Sequence, residues 1–183
     1  MSSQVFVGEA VGVYEMLAAR ERRSQHQREL LTRYAPATLV SITWNIPGPI
    51  KQSALLDQVA QEVLQGLAGQ LQDVPFLYRE AVQAKTGAEA YWVLQLPAEA
   101  IKRQLVDFET THPLGRLVDL DVVTLVDGQP TPLSRSQIGA PTRRCLMCDQ
   151  DAKVCARNRA HSVAALQQHI EDLILHYLEA PRL

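Results

Sequence analysis

The chain reads as an α+β protein: a ferredoxin-like β-α-β-β-α-β core with an added N-terminal helix and a Cys-rich loop plus C-terminal helix. Three observations predict this. Residues 38–46 and 117–123 have the β-branched, apolar or alternating pattern of strands. Residues 52–71 and 98–108 carry apolar stripes at helical spacing. Between those helices, residues 74–83 and 90–96 are two strand-like runs joined by the turn Lys85-Thr86-Gly87-Ala88, a hairpin signature. Strand, helix, hairpin, helix, strand is the order of the split β-α-β unit. Right-handed crossovers then set the fourth strand beside the first and antiparallel to it. The chain is expected to form a single domain over residues 1–183: an N-terminal helix at 13–34, the α+β core at 38–125, the Cys-rich loop at 143–161 and the last helix at 162–178.

Residues 1–12 form a short tail with an apolar patch, Val5-Phe6-Val7-Gly8. In the first helix Val13, Met16, Leu17, Leu30 and Leu31 suit a core, while its middle is polar all round and predicts a solvated face. Arg20, Arg22, Arg23 and Gln27 are alternatively placed to reach an anionic ligand or partner. Pro36 ends that element. The first core strand runs into Pro47-Gly48-Pro49-Ile50-Lys51, a stiff turn that ends on a lysine and opens a helix. Turn, lysine and helix N-terminus together favour anions, against the plainer reading of an ordinary strand-to-helix turn. Pro97 suits the start of the next helix, with Ile101, Leu105 and Phe108 inward. Beyond the fourth strand, residues 126–130 read as a turn and 133–144 as a loop bearing Arg135, Arg143 and Arg144. Ser162 caps a final helix with Leu166, Ile170, Leu173, Ile174 and Leu178 on its buried face.

Composition narrows the function. A length of 183 residues, 46% hydrophobic and 21% charged, suits a soluble globular protein with a full core. A formal net charge of -2 argues against nucleic acid as a general partner. No apolar run is long enough to span a membrane. The opening Met1-Ser2-Ser3-Gln4 lacks the basic and apolar regions of a secretory signal, so a cytoplasmic protein is expected. Three clustered cysteines do not suggest a disulfide framework.

Two stretches point to chemistry. In His112-Pro113-Leu114-Gly115-Arg116-Leu117-Val118-Asp119-Leu120-Asp121-Val122-Val123, strand alternation sets Leu117, Asp119, Asp121 and Val123 on one face and Val118, Leu120 and Val122 on the other. Two carboxylates on one face repel, and a hard divalent ion such as magnesium would remove the conflict. A solvated edge strand is the bland alternative. The predicted topology brings the 112–116 turn beside the 47–51 turn. Asp119 and Asp121 are then metal ligands, Arg116 and Lys51 neutralise phosphates, and His112 either accepts a proton or caps its turn. Gly115 and Gly48 offer backbone to a phosphate, with Arg135 and Arg144 as loop cations. In the second stretch, Cys145, Cys148, Cys155 and His161 are spaced Cys-x2-Cys-x6-Cys-x5-His. A Cys3His set suits structural zinc, and three thiols packed as small hydrophobes are the alternative.

These segments together resemble a known family. They are Arg20-Glu21-Arg22 with Gln25 and Gln27, Pro47-Gly48-Pro49-Ile50-Lys51, the block from His112 to Val122, Ser134-Arg135, and Arg143-Arg144-Cys145-Leu146-Met147-Cys148 with Cys155-Ala156-Arg157 and His161. The sequence is similar to the apo-citrate lyase phosphoribosyl-dephospho-CoA transferases, the holo-acyl-carrier-protein synthases of citrate lyase, over nearly its whole length. The resemblance implies an enzyme of nucleotidyltransferase type. Its substrates would be 2'-(5''-triphosphoribosyl)-3'-dephospho-CoA and a serine of the apo-acyl carrier subunit (gamma chain) of citrate lyase. A phosphodiester forms and pyrophosphate leaves. The individual roles of Asp119, Asp121, His112, Arg116 and Lys51 rest on the residues themselves. The rival reading is a non-catalytic, zinc-stabilised assembly factor that binds an acyl carrier protein through Arg20, Arg22, Arg23 and the C-terminal arginines, without magnesium.

Overall fold

A computed structural model describes residues 5–180; Met1-Ser2-Ser3-Gln4, read above for a secretory signal, lie outside the described residues. Helices accompany one five-stranded antiparallel sheet, an α+β architecture. In chain order the elements are α1 (Val13–Arg33), β1 (Thr38–Trp44), α2 (Ala54–Gln70), β2 (Phe76–Val82), β3 (Glu89–Leu94), α3 (Ala98–Thr111), β4 (Val118–Val126), β5 (Gln129–Pro132), α4 (Ala152–Asn158) and α5 (Val163–Glu179). The sheet order is β2-β3-β1-β4-β5. β4 lies beside β1 and antiparallel to it, with Ser41 opposite Asp121 and Thr43 opposite Asp119.

The two faces of the sheet bury different things because side chains alternate along each strand. Val40, Ile42, Trp92, Leu94, Val118, Leu120 and Val122 face α2, α3 and α5 in the larger core. Val5 and Leu117 join that core as well. On the opposite face, Leu39, Tyr91, Val93 and Val123 pack under Leu30 and Leu31 of α1. Ser41, Thr43, Glu80, Glu89, Asp119 and Asp121 make much of the rest of this second face polar, and the polar middle of α1 lies on it. Gln27 donates to Ser41 Oγ at 2.8 Å, Arg23 pairs with Glu89 at 2.6 Å, and His26 bonds Glu80 at 2.6 Å.

Local chemistry explains the boundaries. Ser53 caps α2 by accepting the Leu56 N–H, and Ser162 caps α5 by accepting the Ala165 N–H. Four expectations are corrected. Val13 and Leu17 of α1 are exposed; its inward residues are Ala19, Leu30 and Leu31. Leu117 precedes β4 in a short 3-10 turn, Gly115–Leu117, so alternation begins at Val118. Residues 126–132 hold the end of a hairpin rather than turn and loop alone. Asp127 and Gly128 both take positive φ, the backbone that a two-residue hairpin turn requires, and Pro130 and Pro132 are tolerated because β5 is an edge strand. The Cys-rich stretch contains α4, started by Asp151 accepting the Lys153 N–H.

Candidate functional site

β4 sits one strand in from the sheet edge, but β5 covers only its second half, Val123 to Val126. The carbonyls of the first half therefore need other donors. Arg143 supplies one, donating from Nη2 to Val118 O and Arg116 O, each at 2.8 Å. Lys102 Nζ donates to Leu120 O at 2.8 Å, and the Leu133 N–H to Val122 O at 2.7 Å. Two of these side chains also answer the carboxylates. Arg143 Nη1 forms an ion pair with Asp119 Oδ1, and Lys102 Nζ lies 3.8 Å from Asp121 Oδ1. The like-charge conflict along β4 is thus met by two cations of the chain itself.

The carboxylates stay open to a ligand: the side chains of Asp119 and Asp121 keep 42% and 49% of their exposure. Desolvation pushes the Asp121 carboxyl above its ordinary value, with Asp119 adding to the rise and Lys102 opposing it. Lys102 is 5% exposed, and that burial lowers its ammonium pKa. More cations gather nearby. Arg135 is paired with the buried Glu109, and Arg116 donates to Arg144 O. Burial, then repulsion from Arg143 and Arg135, lowers the Arg116 pKa. Arg144 reaches Asp149, at 3.1 Å on the surface.

The other sequence-predicted residues fall elsewhere. His112 lies on the α2, α3 and α5 side of the sheet, away from the carboxylates. It stacks on Phe108 with ring centroids 4.7 Å apart, approaches Tyr177 at 5.8 Å, and accepts the Leu114 N–H at Nδ1. That is the turn-capping role. Gly115 is buried, and a Cβ there would stand 2.7 Å from Phe108 O, so the glycine serves the packing of its turn on α3. Gly48, at φ +83, lies under α5, where Gln167 donates to Pro47 O. Lys51 directs its amine to Ile46 O within its own turn, and desolvation lowers its pKa. The 47–51 turn does share a sheet end with the 112–117 segment, since the Asn45 N–H bonds Leu117 O at 2.8 Å. The two turns are neighbours, with Lys51 and Arg116 on different carbonyls. Arg143, Lys102 and Glu109 are the site residues that sequence reasoning missed. Arg143 was visible only as one of three loop arginines, and nothing in a helical pattern marks Lys102 as reaching a strand edge.

The cysteine cluster closes at one end of this region. The ligand atoms of Cys145, Cys148, Cys155 and His161 all lie within 4.8 Å of one another. Cys148 Sγ is 3.5 Å from Cys155 Sγ and 3.4 Å from His161 Nε2. Four ligands about 2.3 Å from a common tetrahedral centre would be about 3.8 Å apart, so the set can hold a metal ion such as zinc. Desolvation raises the Cys145 thiol, but the N–H groups of Met147 and Cys148 and the neighbouring thiols bring it down to about 7. Desolvation and the thiols of Cys148 and Cys145 push Cys155 up to about 12.

Comparison with known proteins decides the family. A family profile described as apo-citrate lyase phosphoribosyl-dephospho-CoA transferase matches residues 11–177. The chain belongs to this family. It is 42% identical over 169 residues to a Streptococcus pyogenes protein named "Probable apo-citrate lyase phosphoribosyl-dephospho-CoA transferase", covering 92% of this chain and 88% of that one. A Vibrio cholerae protein of the same name is 38% identical over 171 residues, covering 92% and 94%. Membership makes the chain a transferase, an enzyme rather than a non-catalytic assembly factor. No helix among the described residues is long and apolar enough to cross a membrane.

Proposed function

We propose that this chain transfers the 2'-(5''-triphosphoribosyl)-3'-dephospho-CoA group to a serine of the apo-acyl carrier subunit of citrate lyase. The serine oxygen attacks the phosphorus nearest the ribose and forms a phosphodiester. The bond to the next phosphate breaks, pyrophosphate leaves, and the serine proton passes to a base. The observation that carries the reading is the open carboxylate pair Asp119 and Asp121, faced by Arg143 and Lys102, with Arg116 and Arg135 close to those two cations. Phosphoryl chemistry needs positioning and charge compensation more than covalent help, and this cluster supplies both signs.

Asp119 and Asp121 are hard oxygen donors on one strand face, a donor set that suits magnesium together with substrate phosphates. Bound there, magnesium would offset charge on the phosphate oxygens. Arg116 and Arg135 would hold the leaving pyrophosphate, with Lys51 at the same end of the sheet. Asp121, whose carboxyl is already raised, is the better proton acceptor of the pair. In the same reading the Cys3His set takes a structural zinc ion, and residues 1–183 form one ferredoxin-like transferase domain. What supports the domain and topology is the β4–β1 pairing and a main core drawn from Val5 through Ile174.

The test is direct. Incubated with apo-carrier, the triphosphoribosyl donor and magnesium, the protein should raise the carrier's mass by the prosthetic group and release pyrophosphate. Asp119→Asn and Asp121→Asn should abolish both while leaving cooperative unfolding intact. Mutants with wild-type turnover at saturating magnesium would move the site off β4.

A further inference from the structure

The segment from Pro141 to His161 has almost no core of its own: Cys155 is its only buried residue. Yet it carries Arg143, which reaches two carbonyls and one carboxylate of β4. So exposed a stretch cannot hold a guanidinium in place by apolar burial. Its internal ties are a few backbone bonds, the exposed Arg144–Asp149 pair and a Thr142 bond to the Asp151 carboxylate. The Cys145 N–H donates to Gln150 O at 2.7 Å, and the Ala152 N–H to Arg143 O at 2.8 Å. Arg144 and Asp151 form a single antiparallel bridge. What draws the two ends of the segment together is the ligand set itself, Cys145 and Cys148 from its start and Cys155 and His161 from its end. Arg143 is two residues ahead of the first ligand, and Arg144, whose carbonyl receives Arg116, is next to it.

We infer that a zinc ion held by Cys145, Cys148, Cys155 and His161 is a positioning device for the transfer site: it fixes the segment so that Arg143 stays on Asp119 and Arg116 stays on the Arg144 carbonyl. The inference rests on the transferase reading for its kinetic consequence but not for its structural one. Arg143 is then a positioning residue, and the cluster acts through it. Metal binding and the ordering of this segment are one equilibrium, as in other small sites whose ligands meet only on folding.

The experiment uses the full chain purified without a metal-binding tag, in wild type, Cys148→Ser, Arg143→Ala and the double variant. Wild type should hold close to one equivalent of zinc, and Arg143→Ala should retain it. Cys148→Ser should lose zinc yet keep the far-UV signature and cooperative unfolding of the sheet. Each single variant should lower kcat by about tenfold to a hundredfold with the KM for apo-carrier little changed. The double variant should fall no further than the worse single one, because both remove the same restraint. Fully multiplicative losses would overturn the inference, and so would wild-type protein with less than a tenth of an equivalent of zinc. If Cys148→Ser fails to fold, chelator-stripped and zinc-reloaded wild type replaces it. Amide exchange of Cys145 and Ala152 should then be slow with zinc and fast without it, and equal rates would overturn the inference. That readout stands even if wild type shows no transfer, a result that would remove the proposed reaction instead.

Discussion

His112 accepts the Leu114 N–H through Nδ1, which requires the neutral ring, and burial lowers its pKa below the ordinary 6.5. A depressed imidazole pKa means that the folded state binds protons less readily than the unfolded one. Stability is therefore full above about 6.5 and is lost as pH falls through that value toward the lower folded one. His112→Asn keeps an acceptor for Leu114 and cannot titrate. Thermal melts between about pH 7 and pH 5 should show a shallower decline for this variant than for wild type. Equal slopes would place the acid sensitivity elsewhere. The Asp119 and Asp121 pair was legible in the sequence because aspartate is a poor strand former, and two of them alternating with valine and leucine call for a cation. Their partners were not legible. Lys102 and Arg143 lie far from the pair in sequence, on a helix and in a loop, and only the uncovered edge of β4 brings them together.

At the scale of elements, the short 3-10 turn before β4 is held by the absence of a side chain. A Cβ on Gly115 would meet Phe108 O at 2.7 Å and Glu109 Cα at 2.9 Å, both on backbone that α3 fixes. Gly115→Ala must push the turn off α3, and overpacking of this kind costs about 1–3 kcal/mol. Urea unfolding should show a lower midpoint with the slope unchanged. The turn also carries Arg116, so transfer should fall beyond what the stability loss explains. The core helices and four of the strands followed from periodicity, and Ser162 caps where its sequence context predicted, whereas the Ser53 cap moves the start of α2 past Gln52. The polar middle of α1 did not follow. The polar pattern predicted a solvated face and left open an anionic partner for Arg23 and Gln27, but it did not show that Gln27, Arg23 and His26 find Ser41, Glu89 and Glu80 on a polar face of the chain's own sheet. β5 was missed for a different reason: two prolines in four residues mask a strand, although the Asp127-Gly128 turn ahead of it signals a hairpin.

At the scale of the molecule, topology would decide, in the proposed reaction, which charges face the donor and which remain for a protein partner. The Lys51 turn and the Arg116 turn share one end of the sheet, while Arg20 and Arg22 stay exposed on α1, and Arg23 is committed to Glu89. Lys51→Ala and Arg116→Ala should raise the KM for the donor, lower kcat, or both. A lost charge-assisted bond predicts a change of roughly tenfold to a hundredfold in kcat/KM. The KM for apo-carrier should move much less. Steady-state kinetics with each substrate varied in turn checks this, and a Lys51→Ala variant that weakens only the carrier would assign that turn to protein docking.

The way Arg143, Lys102 and Leu133 cover the first half of β4 has a consequence apart from catalysis. An uncovered strand edge is a template on which another chain can add a strand. Here the donors that blunt it come from three separate places, and Arg143 and Leu133 both follow β4 in the chain, so a newly made β4 has only Lys102 against this edge until they arrive. A protein whose cysteine segment has come loose loses Arg143 from the Val118 carbonyl and so bares the start of that edge while its sheet is still intact. Its first failure should be self-association through β4 rather than unfolding.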